Sequence, residues 1–257
     1  MESQKTVYWY PAAHSVQINC IKSSFSGPYL FTADNKGLFK VWKFSEENKL
    51  IEEDKAQSDY AINSIAVTSD DGFVFISNIG GGMKQYNIKK SNFENKWEHF
   101  CEGRIYSIAV SSDDLDLITT DSRGFIKIWD IESQDLLKSY RNIHQAIIHS
   151  VKLTYDGRYL VFGDEFGYMK QFDLIERQLA EDYGVIHDGS IHSIEISKNY
   201  EYLFTSDASG CLKQWEIYQQ KLVKDWGKIH ESAIYAIKIS HNGRYLVTCD
   251  CCGWVKI

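Results

Sequence analysis

Positive charge is what this chain is short of. Against 35 acidic residues it has 28 lysines and arginines, a net charge of −7, so no basic face that would seek nucleic acid is expected. Long apolar runs are missing as well. No stretch approaches membrane-spanning length, and the polar start MESQK is followed only by VYWY, so neither membrane insertion nor a secretory signal core is expected. The six cysteines, at 20, 101, 211, 249, 251 and 252, lack a framework spacing, which fits free thiols in a reducing compartment. The expected location is the cytoplasm, with the nucleus as the alternative. No GxSxG, HExxH, phosphate loop or well-placed Ser/His/Asp set is present, so catalysis and a cofactor are not expected.

What the chain does have is a repeat. The segments TADNKG, ISNIGG, TTDSRG, FGDEFG, TSDASG and TCDCCG carry one anchor each, at Asp34, Asn78, Asp121, Asp164, Asp207 and Asp250, spaced by 44 and then four times by 43 residues. Self-similarity at such a period means one supersecondary unit per repeat, stacked on its neighbours. With no linker between repeats, residues 1–257 read as one domain. Three positions after each anchor stands a glycine, which supplies the left-handed backbone that closes a tight hairpin.

Before each anchor lies a β-branched and aromatic run such as YLFTAD or YLVFGD, and after it an alternating run such as LFKVW or FIKIW. An earlier strand reads INCI, INSI, IYSI, IHSV, IHSI and IYAI. A fourth strand ends each unit, with Trp97, Tyr140, Tyr183 and Trp226 in one register and Asp54 the exception. Tyr10 falls in that register too, so residues 6–10 are expected to act as an outer strand that closes a ring.

These units resemble WD40 (β-transducin-like) repeats. The resemblance implies an all-β β-propeller of four-stranded antiparallel blades, with repeats at about 14–57, 58–100, 101–143, 144–186, 187–229 and a truncated 230–257, and six of the blades of a seven-bladed ring. It also implies a hydrogen-bonded structural tetrad in each complete repeat. His14, Thr32, Asp34 and Trp42 match one set, and His187, Thr205, Asp207 and Trp215 another. His230, Thr248 and Asp250 match three members. The departures are coupled: the second repeat has Ser58, Ile76, Asn78 and Tyr86, and the fourth keeps His144 and Asp164 but has Phe162 and Phe172. Hydroxyl and indole vanish together, as expected if replacing both partners by apolar groups is nearly neutral. In the third repeat Cys101 takes the histidine position.

The same resemblance implies a scaffold that binds other proteins, within a multiprotein complex, on one rim. The rim register is Asn19, Asn63, Tyr106, His149, His192 and Tyr235, with Arg104 and the residues equivalent to it (Gln17, Ala61, Ile147, Ser190, Ala233) beside it. The residue before each turn anchor (Ala33, Ser77, Thr120, Gly163, Ser206, Cys249) is a further expected contact. Tyr106, His149, His192 and Tyr235 lie on consecutive first strands, so an aromatic arc is expected, with histidines titrating near about 6.5. A ubiquitin-ligase substrate receptor is the alternative of similar kind, though Trp129 and Trp215 are followed by Asp130-Ile131-Glu132 and Glu216-Ile217-Tyr218 instead of the Trp-Asp-x-Arg such receptors carry. A propeller enzyme is the alternative of another class.

Other tempting groups have plainer readings. Cys249, Cys251 and Cys252 align with ordinary turn positions, and three thiols fall short of the four ligands of a structural zinc, so no metal is expected. The pairs Asp70–Asp71 and Asp113–Asp114 fall on turns. The recurrent Lys40, Lys84, Lys127, Lys170, Lys213 and Lys256 are expected to pack their stems and leave their heads in solvent.

Overall fold

Each repeat becomes one antiparallel sheet with its strands in chain order, because every strand is joined to the next by a connection too short to cross over. The computed structural model describes residues 14–44, 50–94, 97, 101, 103–141, 146–154, 156–197, 199–240 and 243–257, and of Leu50, Glu53 and Asp54 the backbone only. The expected strand at 6–10 and His144 lie outside the described residues.

Two compact units, Met1–Phe100 and Cys101–Ile257, divide the chain. In the first, one sheet holds β1 (Ile18–Ser23), β2 (Tyr29–Asp34), β3 (Leu38–Phe44) and β4 (Leu50–Gln57). The next holds β5 (Ile62–Val67), β6 (Phe73–Asn78), β7 (Met83–Asn87) and β8 (Asn92–Glu94).

The second unit starts with the sheet β9 (Ile105–Val110), β10 (Asp116–Asp121), β11 (Ile126–Asp130) and β12 (Leu136–Tyr140). It continues with β13 (Ile148–Leu153), β14 (Tyr159–Asp164), β15 (Tyr168–Asp173) and β16 (Gln178–Val185), and then β17 (Ile191–Ile196), β18 (Tyr202–Asp207), β19 (Cys211–Glu216) and β20 (Lys221–Lys228). Its last sheet is β21 (Ile234–Ile239), β22 (Leu246–Asp250) and β23 (Val255–Lys256). The fold is all-β, built of propeller blades, five with four strands and the sixth with three. No helix of the described residues is long and apolar enough to cross a membrane.

The cores lie between successive blades. Within the first unit Phe31, Phe39 and Val41 of one blade bury against Ile65, Val74 and Tyr86 of the next. In the second, Ile118 and Ile128 meet Val151 and Leu160, and Val161 and Met169 meet Ile194 and Leu203. A blade here is covered on both faces, so its middle strands are apolar on both sides. The first strands stand side by side, β1 with β5, and β9, β13, β17 and β21 in succession.

The hairpin turns explain the anchor and the glycine together. Oδ1 of Asp207 accepts the backbone N–H groups of Ser209 and Cys211, both at 2.9 Å, and Asp34, Asp164, Asp250 and Asn78 do the same in their turns. Gly210 has φ +90°, and a Cβ there would sit 2.1 Å from the His230 carbonyl oxygen. Only glycine allows that approach. The Gly210 carbonyl then accepts the N–H of Ile229 and of His230, as Gly167 does for Ile186 and His187.

One fourth strand departs from the expectation. β8 is short, and Trp97 falls beyond it. The indole is buried all the same, donating its N–H to Gln85 Oε1 at 2.6 Å and meeting Phe75 edge-on, so a side-chain anchor replaces ladder pairing.

Candidate functional site

The buried polar groups come first, because they decide which histidines are free to act. Trp42 Nε1 donates to Thr32 Oγ1 at 2.8 Å, His14 Nε2 meets the same hydroxyl at 2.7 Å, and His14 Nδ1 meets Asp34 Oδ2 at 2.8 Å. The donors run one way. With the threonine oxygen accepting from the indole and giving its proton to Nε2, Nδ1–H is left to donate to the carboxylate. His187, Thr205, Asp207 and Trp215 repeat this at 3.2, 2.8 and 3.0 Å in the same order, and His230 reaches Thr248 at 2.8 Å and Asp250 at 3.1 Å. Burial alone would raise the Asp207 pKa, but His187, the turn N–H groups and Ser209 outweigh it and bring the carboxyl down to about 2. Both ring nitrogens of each histidine are engaged, which leaves no lone pair or proton for chemistry.

The incomplete repeats differ in instructive ways. Cys101 is buried, but its Sγ stands 3.9 Å from Thr119 Oγ1, while Trp129 still donates to that hydroxyl at 3.1 Å. In the second repeat Asn78 Nδ2 donates to Ser58 Oγ at 3.1 Å, and Ile76 and Tyr86 join the apolar core. In the fourth, Phe162 and Phe172 both do so.

The rim register has a backbone cause. In each blade the pairing of first and second strands slips by one residue: Ile148 pairs with Asp164 but Ser150 with Gly163, and the same shift occurs after Ile18, Ile62, Ile105, Ile191 and Ile234. The residue skipped is Asn19, Asn63, Tyr106, His149, His192 or Tyr235. A β-bulge leaves its extra residue out of the ladder and re-aims its side chain. The whole register is therefore a series of bulge residues.

In the second unit these side chains meet in an unbroken row. Ring centroids lie 5.2 Å apart for Tyr106 and His149, 5.4 Å for His149 and His192, and 4.6 Å for His192 and Tyr235, the first two pairs edge-on. Tyr235 is 49% exposed, Arg104 is exposed, and the middle rings are half-buried. In the first unit Asn19 Nδ2 crosses to the Ile62 carbonyl at 3.0 Å, tying β1 to β5, and Asn63 occupies the equivalent bulge.

Two expectations are overturned. Burial pushes the His149 pKa down against the pull of Glu165 and Asp164, and burial with His149 beside it pushes His192 down to about 4. His192 is thus neutral across the range where titration was expected, and burial moves His149 in the same direction. Most of the residues before the turn anchors are not open to a partner: Ala33, Ser77, Thr120, Gly163 and Ser206 are buried, while Cys249 is half-buried. Thr120 Oγ1 donates to the Ile148 carbonyl and Ser206 Oγ to that of Ile234, each binding the next blade, and a Cβ on Gly163 would strike Ile191 at 2.5 Å.

The recurrent lysines pack their stems and also engage their heads. Lys213 Nζ donates to the Ile186 carbonyl at 2.7 Å and lies 3.6 Å from Asp225; Lys84 and Lys256 reach the matching carbonyls of Gln57 and Ile229. Lys40 pairs with Glu52 over the Trp42 ring. Lys213, Lys84 and Lys256 thus tie their third strands to the connection between blades.

The turn carboxylates behave as turn formers, with one addition. Asp70 accepts from Thr68 Oγ1 and Gly72 N, and Asp113 from Ser111 Oγ and Leu115 N. Asp71, missed as an individual, reaches the neighbouring blade and accepts the N–H groups of Phe25, Ser26 and Gly27 at 2.6, 2.8 and 2.8 Å and the Ser26 hydroxyl at 2.8 Å. Also missed is Glu195, which pairs with Lys152 at 3.3 Å and with Lys238, three residues after the bulges of three successive blades. Cys251 and Cys252 are exposed on their turn, and no group of three metal-ligating side chains occurs among the described residues.

The family model described as WD domain, G-beta repeat matches residues 4–43, 184–216 and 222–257. No curated protein matches the chain.

Proposed function

Since the chain is a WD40-repeat protein, and propellers of that family are in general non-enzymatic scaffolds for protein interaction, we propose that it binds partner proteins through the bulge-borne rim of its blades, as one subunit of a multiprotein complex in the cytoplasm. The observation that supports this reading is the continuous row Tyr106, His149, His192 and Tyr235, with the exposed Arg104 at its end. Tyrosines and arginine are frequent anchors, because they bury much area while few rotors are frozen. Imidazoles between the tyrosines, both pushed by burial towards the neutral form, make the row aromatic and suited to an extended partner segment laid across four first strands. The test is affinity capture from the cells of origin with the Tyr106→Ala/Tyr235→Ala variant. Capture should fall sharply while the melting temperature stays close to that of the parent. Intact capture, or a variant that unfolds, would mean that the rings only pack the rim and that the partner surface lies elsewhere.

A further inference from the structure

First strands that stand side by side bring residues one repeat apart together, whatever their charge. Three residues after the bulge, β13, β17 and β21 offer Lys152, Glu195 and Lys238. Both amino groups converge on a single oxygen, Glu195 Oε2, with Lys152 at 3.3 Å. Two cations share one carboxylate, and among the described residues neither has another anionic partner.

The strands hold that arrangement fixed. Ser150 Oγ accepts the N–H of Ile194 and Ser193 Oγ that of Ile237, each at 3.1 Å, so β13, β17 and β21 are pinned to one another beside the charged residues. Ile194 and Ile237 are themselves buried, so the backbones do not draw apart to relieve the crowding. β22, paired with β21, places Val247 opposite Lys238 and adds no charge there. The carboxylate at its end, Asp250, is held by His230 and by its own turn.

The two amino groups also stand within hydrogen-bond reach of each other. Two ammonium ions cannot form that bond, since both are donors only, and one nitrogen has to supply a lone pair. Burial, and then the charge of Lys152, weigh on Lys238 and outweigh the pull of Glu195, which brings its pKa down to about 8. The Lys238 side chain is 48% exposed, against 26% for Lys152, so the amine relieved of its proton is also the one a reagent reaches.

We infer that Lys238 is a modification site, a nucleophilic amine that accepts the acyl group of a small acyl thioester. A second cation held beside a lysine is what makes the free amine available near neutral pH. Its lone pair attacks the carbonyl carbon, the C–N bond forms as the C–S bond breaks, and the departing thiolate takes up the proton that the nitrogen releases. The amide produced is uncharged. Glu195 is then left with Lys152 alone, one charge against one, so acylation removes the crowding that favours it. The modification changes the charge of β21 three residues from Tyr235, and the assignment stands apart from what the rim row binds.

The probe is the acetyl thioester of N-acetylcysteamine, given to the whole chain, with initial rates at each lysine followed by mass spectrometry of chymotryptic peptides. Near about pH 7.5 roughly one Lys238 amine in four is neutral, against about one in a thousand for an ordinary lysine. The weaker base is also the weaker nucleophile, which offsets part of that gain. Lys238 should therefore acetylate at least about ten-fold faster than Lys221 and Lys224, both exposed on β20. Its rate should level off above about pH 9, where that of an ordinary lysine still climbs. Lys152→Gln removes the neighbouring cation and should move the midpoint of this profile up by about one pH unit, whereas Glu195→Gln removes the counter-charge and should move it down. Acetylation no faster than at Lys221 and Lys224, a parent rate still climbing beyond about pH 9, or midpoints that do not move in opposite directions would each overturn the assignment.

Discussion

Trp215→Phe is the most informative single change, because the structure shows what the indole N–H holds and what remains when it is gone. The N–H donates across 3.2 Å to Thr205 Oγ1, and Thr205 is 0% exposed. That hydroxyl keeps its second bond, 2.8 Å to His187 Nε2, so the variant loses one neutral hydrogen bond, about 1 kcal/mol, and the packing of part of a large ring, about 1 kcal/mol more. The expected destabilisation is about 2 kcal/mol.

Thr205→Val severs both bonds and leaves His187 Nε2 and the indole N–H buried without partners, at about 2–3 kcal/mol. The double variant loses the shared bond once only. Its loss should therefore fall about 1 kcal/mol short of the sum, while the double variant remains less stable than Trp215→Phe alone. An apolar pair is not neutral here as the second and fourth repeats suggest, because the threonine also serves the histidine. Urea denaturation followed by far-ultraviolet circular dichroism supplies the three differences. A sum that is additive within about 0.5 kcal/mol would refute the shared bond, since independent sites add to that precision.

Two further outcomes are expected. Asp71→Ala removes a carboxylate that accepts four donors from the 25–27 loop and should lower the melting temperature, whereas Asp113→Ala, whose partners are local to its turn, should lower it less; equal shifts would argue against a link between blades. His192 is held neutral in the fold down to about 4, against about 6.5 when unfolded, so as pH falls through that interval the unfolded chain gains a proton that the fold does not. Stability should decline from about pH 6.5 towards 4 and lose part of that slope in His192→Asn, while partner capture stays level between about pH 5.5 and 7.5; capture that titrates in that range would contradict neutral rings.

What the sequence discloses here is what repeats. The turn anchor, the glycine three residues on and the tetrad residues recur at one period, so a single physical explanation covers every copy, and Asp207, Gly210 and His187 can be placed before any coordinate is seen. The rim register is readable for the same reason. Its mechanism is not, because a bulge is a property of strand pairing and residue types as different as Asn19, His149 and Tyr235 occupy it. The same slip decides the fate of the residue before the anchor, which simple alternation would leave accessible and which the sheet turns towards the next blade. Burial of His192 depends on its flanking rings, and the cavity lined by Asp156, Gln171 and Tyr218 draws on residues more than forty positions apart. Neither leaves a mark at any single position.

His187 and His230 each belong to two blades at once. The backbone N–H of His187 is bound by the Gly167 turn of the blade it leaves, and its imidazole by Thr205 and Asp207 of the blade it enters; His230 joins Gly210 to Thr248 and Asp250 in the same way. As the chain emerges from the ribosome, a hairpin turn thus waits for a residue some twenty positions later before its glycine carbonyl is satisfied, and that residue in turn waits for the following hairpin. Nearest-neighbour coupling of this kind makes a half-made chain least secure at its growing end and lets a defect in one blade loosen its two neighbours before any others.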